Sequence, residues 1–169
     1  DSAIFFFQKA LTLASPGASK SRLSSIYRNV AQVYLTQWNH DSAYYYLIKA
    51  DEVAKDLSEN DYIRAEVNSL WGAYYEDMLD YEKSAEYFSR MCALSKKGGD
   101  NFHLIKCYLN ESELAYRKGD FAQSLLRGFE ALKITETYAY PPQVTDVFLA
   151  LGNTYTALPS SKYRVAING

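Results

Sequence analysis

The chain has 169 residues, 48% hydrophobic and 22% charged, with 18 Lys and Arg against 20 Asp and Glu and a formal net charge of −2. That balance is globular and near neutral, and it excludes a disordered tail, a collagen-like fibre and a surface built to hold nucleic acid, which needs clustered cations. The longest uninterrupted apolar run, Ala43 to Ile48, is far short of the roughly 20 residues that cross a bilayer, so a soluble chain with no membrane insertion is expected and its compartment stays open.

All four prolines lie at Pro16, Pro141, Pro142 and Pro159, which leaves long helices free to form from Gly17 to Tyr140. Helix-stopping and capping clusters recur in chain order at Ser15-Pro16-Gly17, Asn39-His40-Asp41, Ser58-Glu59-Asn60-Asp61, Leu79-Asp80, Gly98-Gly99-Asp100, Gly119-Asp120, Tyr140-Pro141-Pro142 and Leu158-Pro159-Ser160. Each offers a Gly or Asn to end one helix, a Ser, Asn or Asp to cap the next, or a Pro for its first turn. Between the clusters apolar residues fall at helical spacing, as at Ile26, Val30, Val33 and Tyr34. The pattern predicts antiparallel helices of about 17 residues joined by short turns.

Small residues recur at Ala31, Gly72, Ser112 and Gly152, and again at Ala3, Ala43, Ser84 and Ser124, with steps of 40 or 41 and a constant offset of 12 between the series. Aromatics keep the same beat at Tyr34, Tyr75 and Tyr155, and at Phe7 and Phe88. A small residue on one helix lets the facing helix approach, and a bulky one a turn away fills the gap beside it. A fixed repeat length of this kind marks a stacked-repeat fold rather than an ordinary bundle.

Gly119-Asp120-Phe121-Ala122-Gln123-Ser124 and Asp80-Tyr81-Glu82-Lys83-Ser84-Ala85-Glu86-Tyr87-Phe88 resemble the turn and second helix of the tetratricopeptide repeat family, and the stretches from Asp41 to Ala50 and from Asp1 to Ala10 are similar. The resemblance implies an all-α, right-handed α-solenoid of antiparallel helix pairs, with about seven full helices plus a truncated one. Residues 1–16 would be the second helix of a truncated repeat, 17–58, 59–98 and 99–138 full repeats, and 139–169 a partial one, in a single domain cut from a longer array. The period departs from the usual 34 residues, and the proline that normally follows the second helix is replaced by Ser15, Lys55, Lys96 and Glu136. Long repeats of this kind are similar to those of bacterial peptide-sensing regulators and of some scaffold proteins.

Catalytic chemistry has little to build on. His40 and His103 are the only histidines; His40 fits the aromatic slot of a helix turn and His103 the first turn of a helix, and no metal-ligand spacing or nucleophile motif accompanies them. Cys92 and Cys107 read most simply as small buried apolar residues, with a disulfide or a reactive thiol as the alternatives. No catalytic residue, cofactor or metal is expected.

The remaining candidate is the concave face lined by the first helix of each repeat. Counting from the small-residue anchors places Arg28, Asn29 and Gln32 there, then Glu66 and Asp77, then Lys106, Asn110, Glu113 and Arg117, and finally Asn153, with Ser25, Ser69, Ala73 and Asp146 among them, and the Tyr116 ring would offer a peptide a stacking platform. In relatives that clamp peptide carboxylates the corresponding positions would be Arg28, Gln32, Leu70, Lys106 and Asn110; Lys106 alone is a direct match. The expected function is a non-catalytic interaction scaffold binding a protein or peptide of mixed charge, with no nucleic acid and a possible homodimer through exposed repeat ends. The alternative is the peptide- or ligand-sensing input domain of a bacterial signalling or transcription regulator. Repeat phasing assigns Tyr27, Tyr34, Tyr75, Tyr81, Tyr108 and Tyr155 to helix packing, and leaves Tyr44, Tyr45, Tyr74, Tyr116, Tyr138 and Tyr140 as surface candidates.

Overall fold

A computed structural model describes residues 2–14, 19–57, 61–138 and 141–158. Among them the chain forms eight α-helices and no strand: α1 (Ser2–Leu13), α2 (Lys20–Thr36), α3 (His40–Lys55), α4 (Asp61–Asp77), α5 (Tyr81–Gly98), α6 (Asn101–Arg117), α7 (Phe121–Tyr138) and α8 (Pro141–Ala157). The expected all-α class holds. The turn at Pro16-Gly17, Tyr140, and the truncated helix expected near Tyr163 and Ala166 lie outside the described residues.

Three turns show how the sequence stops one helix and starts the next. After α2, the Trp38 N–H donates to the Leu35 carbonyl (3.0 Å) and the Asn39 N–H to that of Tyr34 (3.0 Å); Asn39 Oδ1 then accepts from the Ser42 N–H (3.1 Å) to open α3. After α4, the Leu79 N–H reaches Glu76 (3.0 Å) and the Asp80 N–H reaches Tyr75 (2.9 Å), and Asp80 Oδ1 accepts from Lys83 (3.2 Å). After α6, the Gly119 N–H reaches Tyr116 and the Asp120 N–H reaches Ala115, both at 2.9 Å, and Asp120 caps Gln123 (3.1 Å). Each closure satisfies last-turn carbonyls through a residue of left-handed φ, and the next residue caps the following helix. That residue is Trp38 (φ 56°), Leu79 (φ 58°) or Gly119 (φ 76°).

The helices fall into two compact units, residues 1–103 and 104–169. In the first, consecutive helices from α1 to α5 pack pairwise, and α2 also packs against α4. Contact between first helices of successive hairpins is what stacked repeats require. The core of this unit gathers Ala31, Leu35, Ala43, Leu47, Val67 and Trp71, with Phe88 2% exposed; burying one such large side chain stabilises by about 2 kcal/mol. Trp71 stacks on Tyr75 and on Tyr87, with ring centroids 5.8 and 5.6 Å apart. In the second unit α7 packs on α8, and small residues of the expected series meet through hydroxyls. Ser112 Oγ donates to the Ser124 carbonyl (2.8 Å), and Ser124 Oγ lies 2.8 Å from Thr154 Oγ1; all three residues are buried.

Several sequence expectations need correction. The outermost members of the small-residue series, Ala3 and Gly152, are exposed. Tyr155, assigned to packing, is 47% exposed, because the buried face of α8 is Val147, Leu151 and Thr154 and Tyr155 falls one position beyond it. Cys92 and Cys107 are buried as expected, but neither is a free thiol.

Candidate functional site

On the first-helix face of the first unit, the Arg28 guanidinium of α2 forms an ion pair with the Glu66 carboxylate of α4, the two side chains 19% and 17% exposed. Arg28 Nη2 also donates to Asn29 Oδ1 (3.0 Å), and the Tyr62 hydroxyl donates to Glu66 Oε1 (3.3 Å). Burial pulls the Arg28 guanidinium below its ordinary value, while the nearby Tyr62 phenol acts in the opposite direction; arginine remains charged throughout.

His103 extends this polar row. Its Nε2 is 3.6 Å from Glu66 Oε1, and its Nδ1 is 2.8 Å from Asp100 Oδ2. Asp100 Oδ1 meanwhile accepts the His103 backbone N–H (3.0 Å), so one carboxylate caps α6 and orients the ring. The Tyr62 ring stands edge-on to the imidazole at 4.7 Å. Held between two carboxylates and 1% exposed, the imidazole anchors a helix start, the structural slot expected for it.

The structure thus brings Arg28, Asn29 and Glu66 together and leaves the exposed Gln32 on the turn that follows. Asp77 sits elsewhere on α4, its Oδ2 3.8 Å from His40 Nε2. In the second unit Glu113 and Arg117 pair along one turn of α6 (2.9 Å), and Lys106 and Asn153 are exposed while Asn110 is half-buried. The Tyr116 ring, expected as a stacking platform, lies against Phe121 at 5.8 Å. Leu70 is buried in the core, which removes it from the carboxylate-clamp register. Of the surface tyrosines, Tyr44, Tyr45 and Tyr138 are exposed, whereas Tyr74 and Tyr116 are half-buried.

Sequence reasoning missed a cavity of about 530 Å³ between α3, α4 and α5, lined among others by Lys55, Arg64, Asn68, Tyr87 and Arg90. Each cation is matched along its own helix: Lys55 with Asp51 (2.9 Å), Arg64 with Asp61 (3.4 Å), and Arg90 with Glu86. Arg90 also lies over the Tyr87 ring at 5.0 Å, and burial, with the neighbouring Tyr75 second, pushes the Tyr87 phenol up. No motif announces the cavity, since its cations come from three helices and meet only when α3 and α5 pack on α4.

No protein-family model matches the chain, and no curated protein matches it in sequence. The structure is similar to that of BtubC (BKLC) from P. vanneervenii, with a TM-score of 0.77 and 18% identity, over 89% of this chain and 63% of that one. The chain therefore spans less than two thirds of that protein's length. At such identity the likeness shows the fold alone, an all-helical, repeat-like stack.

Proposed function

We propose that the chain is a non-catalytic module of tetratricopeptide-like repeats, right-handed in its stacking, that binds a protein or peptide on its first-helix face. The observation that carries this reading is the Arg28–Glu66 ion pair, which ties the first helices of two successive hairpins into one fixed polar surface. A surface ordered on folding loses little conformational freedom when a ligand arrives, so its contacts translate into affinity. Its charges are of both signs and partly matched, which suits a peptide of mixed charge rather than a bare anion. The 40- and 41-residue recurrence of the three helix turns supports the repeat assignment.

Selection of a displayed library of random dodecapeptides tests the reading. The wild-type chain should enrich peptides whose binding is lost when first-helix residues of the first unit are made acidic together (Asn29→Asp, Gln32→Glu, Ser69→Asp) and helicity is retained. Unchanged binding by that triple variant would place the partner on another surface.

A further inference from the structure

The turns after α2, α4 and α6 are equivalent in hydrogen bonding, and each needs a residue with φ near +60° at the position before the next helix cap. Gly119 meets that demand without strain. At the two equivalent places stand Trp38 and Leu79, whose Cβ atoms make this conformation unfavourable and which lack the short polar side chain that lets Asn or Asp tolerate it. Burial does not offset that strain, because Trp38 and Leu79 are each 70% exposed, and Met78 beside Leu79 is 50% exposed. Strained residues that the fold itself does not need are a pointer to function.

Rings link the first turn to α4, the helix that ends at Asp77 just before Leu79. Trp38 is edge-on to His40 (5.9 Å), His40 to Tyr74 (6.1 Å), and Tyr74 lies against Tyr44 (5.6 Å), so aromatic surface runs from the first turn onto the second hairpin. The charge around this edge is acidic: Asp41 and Glu82 occupy the first turns of α3 and α5, and Asp77 ends α4. Lys83, the nearby cation, is bonded to Asp80 at 2.9 Å. First-turn carboxylates also favour the helix dipole, yet together they set a negative rim around exposed apolar side chains.

We infer that this edge of the first unit is a docking surface for a partner-protein segment that carries apolar anchors flanked by lysine or arginine. Trp38 and Leu79 supply the apolar contact, and the acidic rim pairs with the flanking cations and steers their approach. A second copy of the chain would bring the same acidic rim against itself, and an anionic membrane would be repelled. The inference stands apart from the first-helix face, and its test separates the two.

The same dodecapeptide library is selected on the wild-type chain, on Trp38→Gly/Leu79→Gly and on the first-helix triple variant. The expected result is a class of peptides with aliphatic or aromatic residues flanked by Lys or Arg. Their affinity should fall about tenfold or more on the double glycine variant and hold on the triple variant, while the glycine variant melts no lower than the wild type. Should glycine unfold the turns, Trp38→Asn/Leu79→Asn keeps residues that tolerate the conformation. Equal enrichment of those peptides by the double variant, selection of acidic peptides only, or no enrichment on the wild type would overturn the inference. So would wild-type self-association or vesicle binding that the double variant abolishes.

Discussion

Gly72 on α4 faces Phe88 on α5 so closely that an added Cβ would lie 2.3 Å from Phe88 Cε1. The ring cannot step aside, because Phe88 is 2% exposed. Overpacking at such a site costs about 1–3 kcal/mol, against roughly 1 kcal/mol gained from replacing a helical glycine. Gly72→Ala should therefore lower the melting temperature. Gly152, where a Cβ would meet nothing within 4 Å, should show the opposite sign on the same substitution.

At the turns, backbone conformation alone decides the effect of substitution. Gly119→Leu should destabilise by about 1 kcal/mol, and Leu79→Gly should stabilise by about the same amount, as read by denaturant midpoints at constant slope. Equal and small effects at both positions would mean that φ at these turns carries no strain.

Asp80 provides a pH dependence. Its side-chain bond to Lys83, and then its bond to the Lys83 backbone N–H, hold the carboxyl below its ordinary value. A carboxyl depressed on folding contributes stability above its unfolded value of about 4 and loses it as pH falls through the folded value. Asp80→Asn keeps a capping acceptor and removes the charge. The wild type should melt higher than this variant at neutral pH, and the difference should shrink on acidification below the ordinary aspartate range.

The Arg28–Glu66 pair should show coupling in a double-mutant cycle. With both side chains less than one fifth exposed, removing one partner leaves the other poorly solvated, so Arg28→Met or Glu66→Gln should each cost about 2 kcal/mol and the double variant less than their sum. Additive losses would mean that the two charges contribute separately.

Much of the fold was legible in the sequence because it depends on local rules. The clusters at Asn39, Asp80 and Asp120 cap the helices they were expected to cap, and Ala43, Gly72, Ser84 and Ser124 are buried where helices meet. Phasing failed at Tyr155, where the neighbouring helices decide which face is covered. The site was less legible. Periodicity placed Arg28 and Glu66 on the first-helix face, but their pairing depends on the packing of α2 on α4. The cavity at Arg64 and Arg90, and the left-handed φ of Trp38 and Leu79, follow from tertiary packing and hydrogen bonding that residue types alone do not announce.

The most direct test of the proposed function is a hydrogen-exchange footprint of the chain with the tightest dodecapeptide from the selection, at saturating peptide. Added protection should appear on α2 around Arg28 and Gln32 and on α4 around Glu66, and should be absent when the triple variant is used. Protection confined to other helices, with the amides of α2 and α4 unchanged, would contradict a ligand on the first-helix face.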